Sequence, residues 1–266
     1  MNLIKYNRGE FRSHIRNFFV FVLSFLLGKK PKLHRIPFGV NKGRKICTSF
    51  EMTPRVFFGI DEPYITKLSK DFIKEGDIVY DIGAHIGYTS LIFAQSLRGN
   101  GKVYAFEILP STAELLNKTV NANKFNTIEV HNTGLGLSNQ TIQLIKGPTA
   151  MTNIYTTPEE SEHTELCNIA SLDQYVKNNK LNAPSIIKID IEGAEIDCLQ
   201  GGNELINKHK PIMLIEFHDL SLLKKGYNLL ESWGYRLTSQ DGIIINRNKL
   251  DKYEEDFHET VLCQPN

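Results

Sequence analysis

An apolar run that stops on an acidic residue, turns on glycines and resumes as an apolar pattern constrains this 266-residue chain more than any other feature. Ile78-Val79-Tyr80-Asp81-Ile82 leads into Gly83-Ala84-His85-Ile86-Gly87-Tyr88-Thr89, and Leu91, Ile92, Phe93 and Leu97 follow. The pattern predicts a buried strand, a tight turn and a helix, the first βα unit of a sheet that binds its ligand at the carboxyl edge. Gly83 and Gly87 let the backbone approach a ligand where a side chain would clash. The spacing excludes a dinucleotide fingerprint. Counted from Gly83, Gly-x-Gly-x-x-Gly needs glycine at positions 85 and 88, where the chain has His85 and Tyr88.

An acidic residue two places before the first glycine is instead the mark of an S-adenosylmethionine pocket, with the strand-end carboxylate of Asp81 facing the methionyl ammonium. Lys102-Val103-Tyr104-Ala105-Phe106 reads as the second strand and ends at Glu107, 26 positions after Asp81 and placed to accept both ribose hydroxyl hydrogens. The alternation continues with helix 110–123 and strand 127–132, after which Asn132-Thr133-Gly134 is placed to reach the adenine. Helix 171–179, strand 185–190, helix 194–208, strand 211–217 and helix 220–232 resume it, and Asp241-Gly242 joins strands 235–238 and 242–246 as a hairpin. The expected fold is α/β: a doubly wound, mainly parallel, seven-stranded Rossmann-like sheet with a C-terminal antiparallel hairpin and a basic N-terminal helical extension. Thr141–Ile145 and Thr164–Ala170 read as strands flanking a polar insert, Gly147–Ser161, of a length suited to a lid over a bound acceptor.

A third segment narrows the reading. Ser185-Ile186-Ile187-Lys188-Ile189-Asp190-Ile191-Glu192-Gly193-Ala194-Glu195 is a buried strand, an acidic turn and a helix start, preceded by Ser171-Leu172-Asp173. Gly201-Gly202 and Pro211-Ile212-Met213-Leu214-Ile215-Glu216-Phe217-His218 follow. Together with the Asp81 segment and Phe106-Glu107, these blocks resemble the FkbM-type methyltransferases across about residues 75 to 220, Lys-x-Asp-x-Glu-Gly-Ala-Glu being the most distinctive. The resemblance implies an S-adenosylmethionine-dependent methyltransferase acting on hydroxyls of surface glycans or of natural products. The chain departs from the family at His85, where Asn is usual; imidazole still offers a hydrogen bond there.

Asp81, Glu107, Asp190 and Glu216-Phe217-His218 all fall at strand ends and so converge on one rim. Methyl transfer from a sulfonium to oxygen is an in-line displacement that needs positioning and a proton acceptor. The expected catalytic set is Asp190, Glu192 and His218, with Asp190 and His218 as candidate bases and Glu192 on acceptor hydroxyls. Asp190, Glu192 and Glu216 are also placed to ligate a divalent cation. The expected cofactor set is Asp81, Gly83, His85, Gly87, Glu107, Thr133, Gly134 and Asp190. Lys188 reads as structural, paired with a carboxylate, and Glu195 as an acidic residue meeting its helix dipole. The competing reading is a catalytically weak cofactor-binding module inside a glycan-assembly complex, which would not need the Asp190–Glu192 pair.

Charge is unevenly spread. Residues 1–48 hold eleven of the 31 Lys and Arg but one of the 30 Asp and Glu, a basic arm on an acidic body. Within it, Phe18–Leu27 is a ten-residue stretch with nine apolar side chains, too short as a helix to cross a hydrocarbon core of about 30 Å. It reads either as a packing element, on the core or in a homodimer contact, or as a peripheral membrane contact. No nucleic-acid reader motif accompanies the basic residues. The four cysteines show neither metal spacing nor a disulfide framework, and the expected compartment is the cytoplasm, or the inner membrane face if the arm lies on lipid. The expected division is a basic arm over 1–45, a linker with a short helix over 46–75, and the cofactor-binding domain over 76–266.

Overall fold

The computed structural model describes residues 30–145, 164–250, 253–254 and 257–266. The apolar run Phe18–Leu27 and the polar insert expected as a lid lie outside them.

Thirteen strands are described: β1 (Lys32–Arg35), β2 (Lys45–Thr48), β3 (Ile78–Ile82), β4 (Lys102–Phe106), β5 (Ile128–His131), β6 (Gly134–Gly136), β7 (Gln140–Ile145), β8 (Thr164–Ser171), β9 (Ile186–Ile189), β10 (Ile212–Phe217), β11 (Tyr235–Thr238), β12 (Ile244–Ile245) and β13 (Glu259–Pro265). The main sheet has the order β12-β11-β13-β10-β9-β3-β4-β5. β5, β4, β3, β9 and β10 pair in parallel, while β13 is antiparallel to both β10 and β11.

The sheet therefore has eight strands rather than the seven expected. The hairpin β11–β12 forms, with Leu237 opposite Ile245, but β12 is a two-residue edge. The antiparallel strand inside the sheet is β13, which the hairpin signal does not reveal. Thr260, Val261, Leu262 and Cys263 are all buried, so β13 lacks the polar alternation that marks a half-exposed strand.

Pleating sends alternate side chains to two apolar layers. Tyr80, Ile82, Tyr104, Phe106, Ile187 and Ile189 face the helices Leu172–Asn179, Glu195–Gly201, Asn203–His209 and Leu220–Ser232. Val79, Val103, Ala105, Ile186 and Leu214 face the other layer, with Leu91, Ile92 and Phe93 of the helix Tyr88–Ser96, Leu116 of Pro110–Asn123 and Leu68 of Pro63–Phe72. The helix expected over 194–208 is two, broken at Gly202. A Cβ on Gly201 would stand 1.8 Å from the Gly136 carbonyl oxygen, so the first helix can lie against β6 only with glycine there. β6 pairs in parallel with β8, and β8 antiparallel with β7, in a separate small sheet.

The hairpin β1–β2 straddles residue 45, where the sequence suggested that the arm ends. Ile36 and Ile46 are buried in the same layer as Ile92, and Cys47 N donates to Thr119 Oγ1 at 3.0 Å, so these residues belong to the packed body. The short helix Pro54–Phe58 then leads to Pro63–Phe72. Among the described residues, no helix is long and apolar enough to cross a membrane.

Candidate active site

The carboxyl ends of β3, β4 and β9 are locked together through backbone. Gly83 turns with φ 79°, and a Cβ there would lie 1.8 Å from the Asp190 carbonyl oxygen, so only glycine lets the two strand ends meet. Gly83 N and Ala84 N both donate to the Phe106 carbonyl, at 3.0 and 2.9 Å. The next residue, His85, has a left-handed φ of 50°, which aims its N–H at Glu107 Oε2 (2.9 Å). Leu109 N donates to Glu107 Oε1 at 3.0 Å. Glu107 is thus fixed by two backbone donors and only 6% exposed. Burial pushes its carboxyl up to about 7, against the pull of the Leu109 and His85 N–H groups. Such a group gains from ligand hydroxyls that donate to its charged form.

Asp81 departs from expectation. Its side chain is fully buried and does not line the cavity. Thr89 Oγ1 (2.8 Å) and Ser90 Oγ donate to its Oδ2, and Lys188 Nζ lies 3.8 Å from Oδ1. Register explains this: Asp81 sits opposite Lys188 in the β3–β9 pair, so both side chains point to the same helix layer. Asp81 ties the first turn of Tyr88–Ser96 to the sheet and balances a buried cation instead of facing a ligand.

Lys188 also donates to Asp190 Oδ2 (3.0 Å) and to the Gly83 carbonyl (3.1 Å). Burial opposes its charge, but Asp190, Asp81 and Glu62 outweigh that and raise its pKa. Asp190 is penalised by burial in turn, yet Lys188 holds it below the usual carboxylate range. Next to it lies His218, with Nε2 at 3.5 Å from Asp190 Oδ1 and 3.4 Å from Glu192 Oε2, and Nδ1 at 3.0 Å from Glu195 Oε1. Burial lowers the affinity of His218 for a proton, but Glu195, Glu192 and Asp190 prevail and raise its pKa to about 9. His218 is an imidazolium at neutral pH, so the role of general base that the sequence offered it does not fit this arrangement. Glu195, beyond meeting a helix dipole, orients this ring and accepts Gly193 N at 3.0 Å.

Of the expected metal ligands, Asp190 meets Glu192 in one cluster and Glu216 in another, and no cluster among the described residues holds all three. Asp190, Glu192 and His218 offer ligand atoms within 4.8 Å of one another, as do Glu62, Asp190 and Glu216, and Glu216, His218 and His258. These groups already hold protein partners: Lys188 on Asp190, His218 on Glu192, and His258 Nε2 at 2.6 Å from Glu216 Oε1. An entering cation would have to displace the Lys188 ammonium from Asp190 and take the proton from His218. The residues present fit a cluster balanced by Lys188 and His218 better than a metal centre.

One cavity of about 250 Å³ joins these parts. Gly83, His85, Glu107, Thr133 and Gly134 line it together with Glu62, Asp190 and Glu192. Of the expected residues, Gly87 sits outside the wall as the left-handed cap (φ 93°) of Tyr88–Ser96, and His218 and Glu216 touch the acidic lining residues without being part of the lining. Thr133 spends its hydroxyl on the Gly134 and Asn168 carbonyls, and Asn132 Nδ2 bonds the Glu107 and Ile108 carbonyls. That leaves backbone for any ligand there. His85 is driven down to about 4 by burial, so a neutral imidazole faces the cavity. The sequence missed Glu62, Gln140 and Tyr88 in the wall and His258 behind it. Glu62 had a signal: Glu-Pro at a helix start places there a residue that is a poor N-cap.

A parallel sheet with one antiparallel strand inserted near its end, a glycine turn and an acidic clamp after the second parallel strand define an α/β methyltransferase-like fold. Residues 81–237 match the family model of the methyltransferase FkbM domain, and the chain belongs to the FkbM methyltransferase family. It is 27% identical over 157 residues to the hexuronic acid methyltransferase AglP of Haloferax volcanii, a match covering 59% of this chain and 62% of that protein. The chain thus spans less than two thirds of the length of that relative. The crystal structure of methyltransferase FkbM from Methylobacillus flagellatus KT shares the fold, with a TM-score of 0.54 and 21% identity over 76% of this chain and 48% of that one.

Proposed function

We propose that this chain is an S-adenosylmethionine-dependent O-methyltransferase that methylates a hydroxyl of a neutral sugar or glycan. The observation that carries the reading is a single cavity lined both by the backbone-held Glu107 and by the acidic side chains of Glu62, Asp190 and Glu192. In this reading Glu107 accepts the ribose hydroxyls and Gly134 lies beside the adenine. Asp190, adjoining the Gly83 turn, faces the methionyl ammonium. When bound, the cofactor supplies an electrophilic methyl group. The protein's part is to orient it, exclude water and hold the acceptor oxygen in line. Carboxylates accept hydrogen bonds from sugar hydroxyls, which favours a polyhydroxylated acceptor.

Likeness to a hexuronic acid methyltransferase supports a sugar, but the wall argues for a neutral one. Among the described residues lining the cavity, Lys188 is the one basic side chain apart from a neutral His85, and it is already bonded to Asp190. A uronate would meet like charge. Incubation with methyl-labelled S-adenosylmethionine and a panel of neutral hexoses, uronic acids and polyketide alcohols tests this. Label is expected in a neutral saccharide; label only in uronates or in alcohols without sugar would overturn the acceptor assignment.

A further inference from the structure

We propose that Glu62 is the catalytic proton acceptor, taking the proton of the acceptor hydroxyl as its oxygen attacks the methyl group. The inference rests on the methyl-transfer reading above and gives it the base it lacks. Glu62 stands at the head of the helix Pro63–Phe72 with φ 49° and ψ 51°, a left-handed conformation that non-glycine residues seldom adopt unless their surroundings hold them in it. Its side chain does not cap the helix it precedes. It lines the cavity instead, with an oxygen within 4.8 Å of carboxylate oxygens of Asp190 and Glu216.

What separates Glu62 from its neighbours is that no donor among the described residues bonds to it. Every other acidic side chain of the wall is engaged. Asp61 accepts from Arg55 at 2.8 Å, Glu107 from two backbone N–H groups, and Asp190 from Lys188. Glu192 pairs with His218, and Asp197 has an interaction of its own. A base must offer a lone pair to the incoming proton without first breaking a bond, and Glu62 does. Burial, first, raises its pKa to about 7; Lys188 counters this, while Glu216, Asp190 and Asp61 add to it. Tyr88, on the helix Tyr88–Ser96, also faces it. A base of that strength is matched to work near neutrality.

The step balances without a further reagent. The acceptor oxygen's electron pair forms the new O–CH₃ bond, and the C–S bond pair returns to sulfur, leaving a neutral thioether. The hydroxyl proton passes to Glu62 and then to solvent.

The test uses the full-length chain, methyl-labelled S-adenosylmethionine, and whichever neutral hexose or hexose disaccharide the parent labels. Glu62→Gln is expected to lower kcat by about 10²–10⁴-fold while cofactor affinity by calorimetry stays within about threefold. Glu62→Ala is expected to melt as the parent does, to be comparably slow, and to regain turnover with added formate, a small carboxylate for the vacated space. Glu62→Gln, whose amide fills that space, is expected not to respond. A kcat for Glu62→Gln within about threefold of the parent would overturn the assignment, as would no formate response in a natively melting Glu62→Ala. Cofactor affinity weakened more than about tenfold with kcat intact would place Glu62 on the methionyl ammonium instead. If the parent binds cofactor and labels no hydroxyl, the methyl-transfer reading itself fails, and the role of Glu62 with it.

Discussion

Glu107 is held by the N–H groups of His85 and Leu109, which the chain cannot place elsewhere once Gly83 has turned. Asp190 and Glu192 in the lining, and Glu216 beside them, are instead held by side chains, from Lys188 on β9, His218 just after β10 and His258 ahead of β13. The first wall is a product of backbone geometry and responds little to changes of side chain. The second is an electrostatic network in which each charge depends on its neighbours. Changes at the two should therefore fail in different ways: at Glu107 by loss of cofactor affinity, in the network by loss of stability, of turnover or of the normal response to pH.

The largest effect is expected at Lys188. Lys188→Met leaves Asp81 and Asp190 buried without their cation, and breaking a buried pair in this way costs about 3–5 kcal/mol. Urea unfolding is expected to show that loss, with Asp81→Asn in the same chain recovering part of it. A cost under about 1 kcal/mol would mean that the network is not what holds this wall.

The next effect is a pH dependence. His218 has a pKa raised to about 9 in the folded state, above its ordinary value near 6.5. Its contribution is therefore complete below about pH 6.5 and lost as pH rises through about 9. Between those limits the parent should lose about 1–2 kcal/mol more stability than His218→Gln, a figure discounted because the ring is only partly buried. Parallel curves for the two proteins would show that the carboxylates do not hold an imidazolium.

The backbone wall makes a smaller signal of opposite kind. Glu107 is raised to about 7 when no ligand is bound, so at pH 6.5 more than half of it carries a proton. Ribose hydroxyls favour its charged form, and cofactor binding should release up to about one proton, read by calorimetry in buffers of different ionisation enthalpy. Proton uptake, or none, would count against the clamp. The smallest effect is expected from a chelator. With its carboxylates already balanced, the acidic wall should keep its turnover within about twofold in excess EDTA; loss of activity restored by Mg²⁺ would return the cluster to metal chemistry.

Much of the backbone wall was legible in the sequence because glycine spacing and strand-end acids report backbone geometry directly. β3 runs over residues 78–82 as the pattern predicts, and Glu107 stands at the end of β4. The side-chain wall was legible only in part. Asp190, Glu192 and His218 meet, but Glu62 and His258 come from segments far away in sequence, and only the folded sheet brings them in. Asp81 and Lys188 each stand out singly in the sequence. That they form one pair follows from the β3–β9 register, which a single chain does not print. The same holds for β13, buried on both faces and placed between two strands that precede it.

Glu107 is expected to hold the cofactor's ribose. Titration of S-adenosylmethionine into the parent and into Glu107→Gln, both with native melting curves, measures that. A hydrogen-bonded charged group contributes about 1.5–3 kcal/mol, so the substitution should weaken binding by roughly 10- to 150-fold. Equal affinities in the two proteins, or a parent that does not bind the cofactor, would contradict it.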